Sequence, residues 1–423
     1  MVSRLWVFLS DRRIGSLDDR SGDMQFTYEP GVQTPLSVNL PVRAEPYDNS
    51  DCRAFFDNLL PEGSWRQSIC RQLRIDEKND FQLLVAIGTE CAGAVALHPD
   101  ADWTPAQGSY KETTEAELRK WALNPASRPS LEASPGLRLS LAGAQDKMLF
   151  RLDGAIPYLC EGGAPSTVIL KPDIRDSLNA VEFSALNELL SAHLARKCGL
   201  NAVEAFWYAG AYAVRRYDRI LVDGAWKRLQ QEDFAQITRV PSASKYEEHG
   251  GPGWRTCFEI LDTKVVAPAT QRIELIDRLF FNLCLGNNDA HAKNFALLHR
   301  HDGGPRLAPA YDLLCTQMYG TLSATMAMTI GAESHPGKLR PEVWAKFAAD
   351  TGFGLPALRR FGTDMADRAK GALADLLSEV EAACPAIKSD VYPITRRAKF
   401  FKRYAAIVEK NCAGLINSFA DAG

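Results

Sequence analysis

Apolar and polar positions follow different periods in successive stretches of this chain. Arg4–Leu9 and residues 32–38 are short β-prone runs that read as strands. Residues 79–87 gather an apolar cluster that stops at Gly88, so the first hundred residues read as a small α+β unit. Leu137, Leu139 and Leu141 alternate with Arg138 and Ser140, the period of two of a half-buried strand. Residues 142–146 break that pattern, and 147–152 resume it with Met148, Phe150 and Leu152 on one face. A third strand, 167–171, stops at Pro172. Helical spacing then places Leu186, Leu189, Leu190, His193, Leu194 and Lys197 along 182–198, before Gly199. Residues 203–208 and 212–217 read as a hairpin turning at Ala209-Gly-Ala211. Farther on the helical period dominates. Ile273, Ile276, Phe280 and Leu283 form one stripe of 271–285, and Pro341–Thr351, Leu355–Ala383 and 392–419 are amphipathic.

Residues 125–136 carry the Pro, Ser and Gly density of a linker, and no fixed-period repeat interrupts the order. The pattern divides into an N-terminal α+β subdomain (1–105), a linker (106–136), a strand-rich lobe (137–232) and a helical lobe (233–423). The fold class is therefore α+β and bilobal. With 423 residues, each part is long enough to bury a core. Net charge is −3, which excludes a wholesale polyanion binder but leaves room for a local basic patch. No apolar run approaches the roughly 18 residues of a membrane span. The N-terminal apolar stretch is too short for a signal peptide, so a cytoplasmic protein is expected. Ten cysteines, none three or four apart, lie mostly in apolar stretches and read as small core residues, not metal or redox pairs.

The sharpest chemical signal is Gly286-Asn-Asn-Asp-Ala-His-Ala-Lys-Asn294, directly after a buried helix. Asp289 and Asn294 stand five apart, as a phosphoryl-transfer loop requires: an Asp to accept a hydroxyl proton and an Asn oxygen to hold a metal. A helix-ending turn uses the same residue types, so spacing alone leaves both readings open. The flanking pattern shifts the balance. Residues 295–299 and 306–308 read as a hairpin, with Asn294 and Asp312 symmetric about residue 303 in its turn. Their oxygens should meet at one end of it, as a hard cation such as Mg²⁺ requires. Phosphoryl transfer then leads.

In the strand-rich lobe, Lys171 ends a strand and could face phosphate oxygens, with Glu188 on the next helix to orient it. A snorkelling lysine and a solvated helix face explain the same pair. The loop Ser140-Leu-Ala-Gly-Ala-Gln-Asp-Lys147 lies where a kinase keeps its phosphate-covering loop, yet has one glycine and matches no Gly-rich signature. Residues 231–236 could supply a backbone hinge for an adenine edge, or be an acidic connector. Gly250-Gly-Pro-Gly253 reads as a plain loop, His299 and His301 as turn and surface residues, and 396–403 as a solvated basic helix face able to touch nucleic-acid phosphates.

Set in order, eight segments resemble the HipA family, the toxin kinases of bacterial type II toxin–antitoxin operons. They are Asn58-Leu-Leu-Pro-Glu-Gly63, Ile87-Gly-Thr-Glu-Cys-Ala-Gly-Ala94, Ser140 to Lys147, Arg216-Tyr-Asp-Arg219 and Gln231-Glu-Asp-Phe-Ala-Gln236. Lys245-Tyr-Glu-Glu-His-Gly-Gly-Pro-Gly253, Asn288-Asp-Ala-His-Ala-Lys-Asn294 and Pro309-Ala-Tyr-Asp312 complete the set. The resemblance spans almost the whole chain. It implies a protein-kinase-like fold and an ATP- and Mg²⁺-dependent Ser/Thr kinase. By motif match it implies Asp289 as catalytic base, Asn294 and Asp312 as Mg²⁺ ligands, and Lys171 against the ATP phosphates. It extends the nucleotide site to Ala142, Gly143, Ala144, Gln145, Lys147, Glu188, Glu232, Asp233, Phe234, His291 and Lys293. Ser140 matches a serine whose autophosphorylation silences the kinase. The implied partners are a HipB-like helix-turn-helix antitoxin, operator DNA through that antitoxin, and an aminoacyl-tRNA synthetase or similar protein as substrate, with no membrane. Two other readings are a kinase-like DNA-bound co-repressor without activity and a lipid or small-molecule kinase.

Overall fold

The structure is a computed structural model that describes residues 2–124, 143, 145–174, 181–300, 303–383 and 394–420. It forms two compact units between which the chain passes repeatedly. The first comprises Met1–Lys171, Val214–Ser244 and Ala296–Ala308; the second comprises Pro172–Ala213, Lys245–Phe295 and Pro309–Gly423.

The first unit is rich in sheet. Its N-terminal sheet runs Asp23–Tyr28, Arg12–Arg20, Arg4–Leu9, Val95–His98, antiparallel throughout. Phe26, Tyr47 and Phe56 fill one core against it. Arg12–Arg20 has no strand-like alternation in sequence. It still pairs, because Gly15 admits the opposite strand: a Cβ there would lie 2.3 Å from the Thr27 carbonyl. Residues 32–38, expected as a strand, are irregular instead. Their backbone is satisfied by side chains, with the Leu36 N–H on the Tyr28 hydroxyl at 2.7 Å and the Val38 N–H on Glu232 at 3.1 Å.

Four antiparallel strands of this unit follow in the order Ser109–Glu112, Ile156–Glu161, Met148–Asp153, Val168–Lys171. The interval 106–136 thus begins with a strand and the helix Glu115–Leu123, the latter started by a Thr114/Glu117 capping box. Residues 125–136, and the leucine alternation at 137–141, lie outside the described residues. A last sheet pairs Gln231–Asp233 with Ala296–Arg300, and that strand with Gly304–Leu307.

A buried ionic cluster ties distant segments of this unit together. Glu90 Oε1 accepts from Arg216 and Arg219, each at 2.9 Å, and from the Ser166 hydroxyl at 2.8 Å; Arg228 binds Oε2. Asp218 in turn holds Arg216 at 2.7 Å and Arg219 at 3.0 Å, and accepts the Gly93 N–H at 2.7 Å. The motifs 87–94 and 216–219 are therefore two halves of one structural device.

The second unit is helical. Leu355–Ala383 packs against Ile394–Asn417, Pro268–Leu285 and Ser184–Lys197. Trp344 stacks on Phe419 with centroids 4.6 Å apart, and its indole N–H donates to the Ser418 hydroxyl at 2.8 Å. Among the described residues no helix is long and apolar enough to cross a membrane. Eight of the nine described cysteines are buried; burial pushes the Cys52, Cys198 and Cys315 thiols up to about 12, which keeps them protonated core groups. Cys384 lies outside the described residues.

Candidate active site

The helix Pro268–Leu285 begins with proline at its first turn and ends at Gly286, whose φ of +76° makes it the left-handed stop. Close packing also requires glycine here: a Cβ would come within 2.7 Å of Asn411 Nδ2 and 2.9 Å of Gln317. The loop that follows is held by hydrogen bonds at almost every residue. Asn287 donates to Asn282 Oδ1 at 2.9 Å and accepts the Asp289 N–H at 3.1 Å. The Asn288 N–H meets the Thr316 hydroxyl at 2.9 Å, and that hydroxyl donates to the Gly286 carbonyl at 3.1 Å. The Asp289 carbonyl accepts from the His291 N–H at 2.8 Å and from Asn294 Nδ2 at 2.9 Å.

This wiring has two results. Asp289 is anchored through its backbone, so its carboxylate is presented at the surface without carrying the loop. Asn294 is buried and its amide nitrogen is already committed, which turns Oδ1, the atom a hard cation would use, the other way.

Asp312 reaches the same place from another segment. Ala310 forms a parallel bridge with Ala202, its N–H donating to Asn201 at 2.8 Å, and the Tyr311 hydroxyl donates to the Lys293 carbonyl at 2.7 Å. Asp312 then adopts φ +57°, a left-handed conformation uncommon for a residue with a side chain and concentrated at functional sites. Asn294 and Asp312 line one small pocket open to solvent, with Arg278, Asn287 and Leu313 among its other walls. The hairpin between them pairs Leu297 with Leu307, and Ala308 donates to Ala296 at 2.8 Å at its mouth. Its register centres on residue 302, one short of the expected 303. His299 belongs to its first strand and not to the turn; His301 lies outside the described residues.

Negative charge gathers beside this cavity. Glu188 is buried on Ser184–Lys197, and the Tyr212 hydroxyl is pushed far above its ordinary range by burial, then by the charges of Glu188 and Asp312. Carboxylate and amide oxygens are the donors that Mg²⁺ prefers. Among the described residues no three His, Cys, Asp or Glu side chains make a self-sufficient metal site. Mg²⁺ is typically bound by one or two carboxylates with substrate phosphates completing its shell, so the donor set fits.

The remaining expected residues belong to the sheet-rich unit. Gly143 bridges in parallel to Pro61, and its carbonyl accepts the Glu62 N–H at 3.2 Å, so the loop is joined to the 58–63 motif. Gly143 has φ +109°, and a Cβ there would lie 2.8 Å from Lys147 Nζ: the ammonium sits against the bare glycine backbone. Gln145 and Lys147 lead into Met148–Asp153, and Lys171 ends Val168–Lys171, half-buried. Ser140, Ala142 and Ala144 lie outside the described residues.

At 232–234 the side chains have structural work. Glu232 accepts from Ser37 at 2.6 Å and pairs with His299 at 2.8 Å; Asp233 caps Phe234–Ile237 through the Gln236 N–H at 2.8 Å; Phe234 is fully buried. A ligand would meet this stretch through its backbone. One site residue was missed from sequence: the Tyr246 hydroxyl donates to Asp289 Oδ1 at 2.9 Å. The 245–253 motif was the only local signal for it.

The sheet-rich and helical units together have the fold of a protein-kinase-like enzyme. The family model for the HipA-like C-terminal domain matches residues 139–384, and that for the HipA N-terminal domain matches 5–98. The chain belongs to the HipA family of kinases. It is 38% identical over 417 residues to the putative kinase Y4mE of Sinorhizobium fredii, covering 95% of this chain and 96% of that one. It is 28% identical over 339 residues to the serine/threonine-protein kinase toxin HipA of Shewanella oneidensis, covering 76% of each. The structure of Shewanella oneidensis HipA in complex with HipB and its operator DNA matches with a TM-score of 0.80 at 24% identity, covering 99% of this chain and 100% of that one.

Proposed function

We propose that this protein is the kinase toxin of a HipBA-type pair, transferring the γ-phosphoryl group of ATP to a Ser or Thr hydroxyl of a protein. The observation that carries this reading is the pairing of a surface-presented Asp289, on a loop fixed by its backbone, with Asn294 and Asp312 on one cavity. Asp289 accepts the proton of the substrate hydroxyl as its oxygen bonds to phosphorus and the bond to ADP breaks. Asn294 and Asp312 offer the oxygens that would hold Mg²⁺, with Glu188 adding negative charge nearby. Mg²⁺, when bound, neutralises charge on the phosphates. The nucleotide contacts of this reading are Gly143, Gln145, Lys147, Lys171 and the 232–234 backbone in the sheet-rich unit, and His291 and Lys293 in the helical unit.

The family relationship supports a cytoplasmic enzyme with a HipB-like helix-turn-helix antitoxin that brings it to operator DNA. An aminoacyl-tRNA synthetase or similar translation protein is the proposed substrate. Purified protein incubated with radiolabelled ATP and Mg²⁺ tests the activity. Label on protein is expected; none, with a folded sample, would favour the inactive co-repressor. Label on lipid or a small molecule alone would favour the other kinase reading.

Asp312→Asn and Asn294→Ala should each raise the Mg²⁺ concentration needed for half-maximal rate. Even outer-sphere partners are typically worth about 10–100-fold in metal affinity, so a direct ligand should be worth at least tenfold. A Mg²⁺ titration of the kinase rate decides this, and an unchanged midpoint in both variants would remove them as ligands.

Ser140 is the proposed site of self-modification. A phosphate there adds about −1.5 to −2 charges to the 140–147 loop, which should weaken binding of the ATP triphosphate. Mass spectrometry after incubation with Mg-ATP should find phosphate on Ser140 in the wild type and none in an Asp289→Asn variant. Phosphate confined to other residues would refute the assignment.

A further inference from the structure

The reaction scheme leaves one motif without a task, Lys245-Tyr-Glu-Glu-His-Gly-Gly-Pro-Gly253. Tyr246 touches the catalytic loop twice. Its hydroxyl donates to Asp289 Oδ1 at 2.9 Å, and its ring meets His291 edge-on, with centroids 5.2 Å apart and planes at 85°.

The tyrosine is itself held from behind. The Glu247 N–H donates to the Ala327 carbonyl at 3.1 Å, and its carboxylate accepts both the N–H and the hydroxyl of Thr329. The Ala327 N–H returns to the Asn288 carbonyl at 2.8 Å. Asn288, Ala327, Glu247, Tyr246 and Asp289 therefore form a closed ring of bonded residues. Two glycines make room for it. Gly250, at φ +89°, lets the chain double back so that the Gly251 N–H reaches the Tyr246 carbonyl at 2.8 Å. A Cβ on Gly253 would lie 2.6 Å from Glu247 Oε1.

We propose that Tyr246 is a positioning residue for Asp289, fixing the plane in which the carboxylate meets the substrate hydroxyl. An exposed aspartate on a loop otherwise samples several rotamers, and a misplacement of about 1 Å can cost on the order of 100-fold in rate. A donor on one carboxylate oxygen fixes where the other points. The inference rests on the kinase reading above.

Steady-state kinetics of Tyr246→Phe test it, because phenylalanine keeps the ring packing and removes only the hydroxyl. kcat should fall by about tenfold, the scale of one hydrogen bond to a charged group, with KM for ATP and the melting temperature unchanged. In an Asp289→Asn background the same substitution should cause no further loss, since the proton transfer that Tyr246 orients is already gone. A Tyr246→Phe enzyme with wild-type kcat, or one that loses the same factor in the Asp289→Asn background, would overturn the proposal. A wild type with no phosphoryl transfer would overturn the kinase reading along with it. An active wild type with an unaffected variant overturns this inference alone.

Discussion

Under the kinase-toxin reading, Asp289→Asn should cut phosphoryl transfer by a factor of about 10²–10⁴, and relieve any growth arrest that follows from it, while leaving the protein folded. A positioned general base typically contributes about 10²–10⁴-fold in rate, and an amide of the same shape cannot accept the proton. The fold should not notice. The loop is anchored by the backbone N–H and carbonyl of Asp289, and asparagine keeps an oxygen for Tyr246. Surface substitutions of this kind are usually within about 0.5 kcal/mol of neutral, so the melting curve should superimpose on the wild type. Kinase assays, thermal melts and growth of cells expressing each form check the three parts separately. A folded Asp289→Asn protein that still phosphorylates at near wild-type rate would remove Asp289 from the mechanism.

Asp289 and Asn294 stand out in the sequence as candidates because phosphoryl-transfer chemistry demands two residue types at a fixed short spacing, after a helix whose stripe is itself legible. The hairpin singles out Asp312 as their companion, and the structure places it with Asn294 on one pocket. The long helices late in the second unit follow from a sustained period, since they bury one face against neighbours, whereas Ser184–Lys197 is buried almost all round. What escaped has distant causes. Residues 32–38 have strand composition, but their backbone is satisfied by the Tyr28 hydroxyl and by Glu232, 194 residues away from Val38. Arg12–Arg20 pairs on the strength of Gly15 and its neighbours across the sheet, not of its own alternation. The return of Val214–Ser244 and Ala296–Ala308 to the first unit has no local mark either. Glu232 and Asp233 stand inside a motif that suggests ligand contact, yet their side chains brace the fold. Tyr246 shows the converse, a motif residue whose partner lies 43 positions on.

The largest effect on stability should come from Glu90→Gln. The cluster sets the three guanidinium groups of Arg216, Arg219 and Arg228 against the two carboxylates of Glu90 and Asp218, all buried. Removing the Glu90 charge leaves three cations around one carboxylate, and the new amide turns N–H groups toward donors. Breaking a buried ionic arrangement in this way typically costs about 3–5 kcal/mol. For a unit of this size that corresponds to a drop of roughly 6–20 °C in melting temperature. Arg228→Met should cost less, because it leaves two cations facing two carboxylates. The pH dependence has a definite sign. Burial pushes the Glu90 carboxyl up, but Arg228, Arg219 and Arg216 outweigh it and hold the group well below the usual carboxylate range. Asp218 is lowered in the same way, against burial, by Arg216 and Arg219. Both groups bind protons more readily once unfolded, so their stabilisation is complete above the unfolded carboxylate values of about 4 and is lost as pH falls below them. The wild type should therefore lose stability steeply below about pH 4, and Glu90→Gln should show a shallower acid slope because one of the two groups is gone. Thermal melts of the three proteins between neutral pH and pH 3 make the comparison. A Glu90→Gln protein that melts with the wild type at neutral pH, or an Arg228→Met protein that melts below it, would show that the cluster does not carry the load assigned to it.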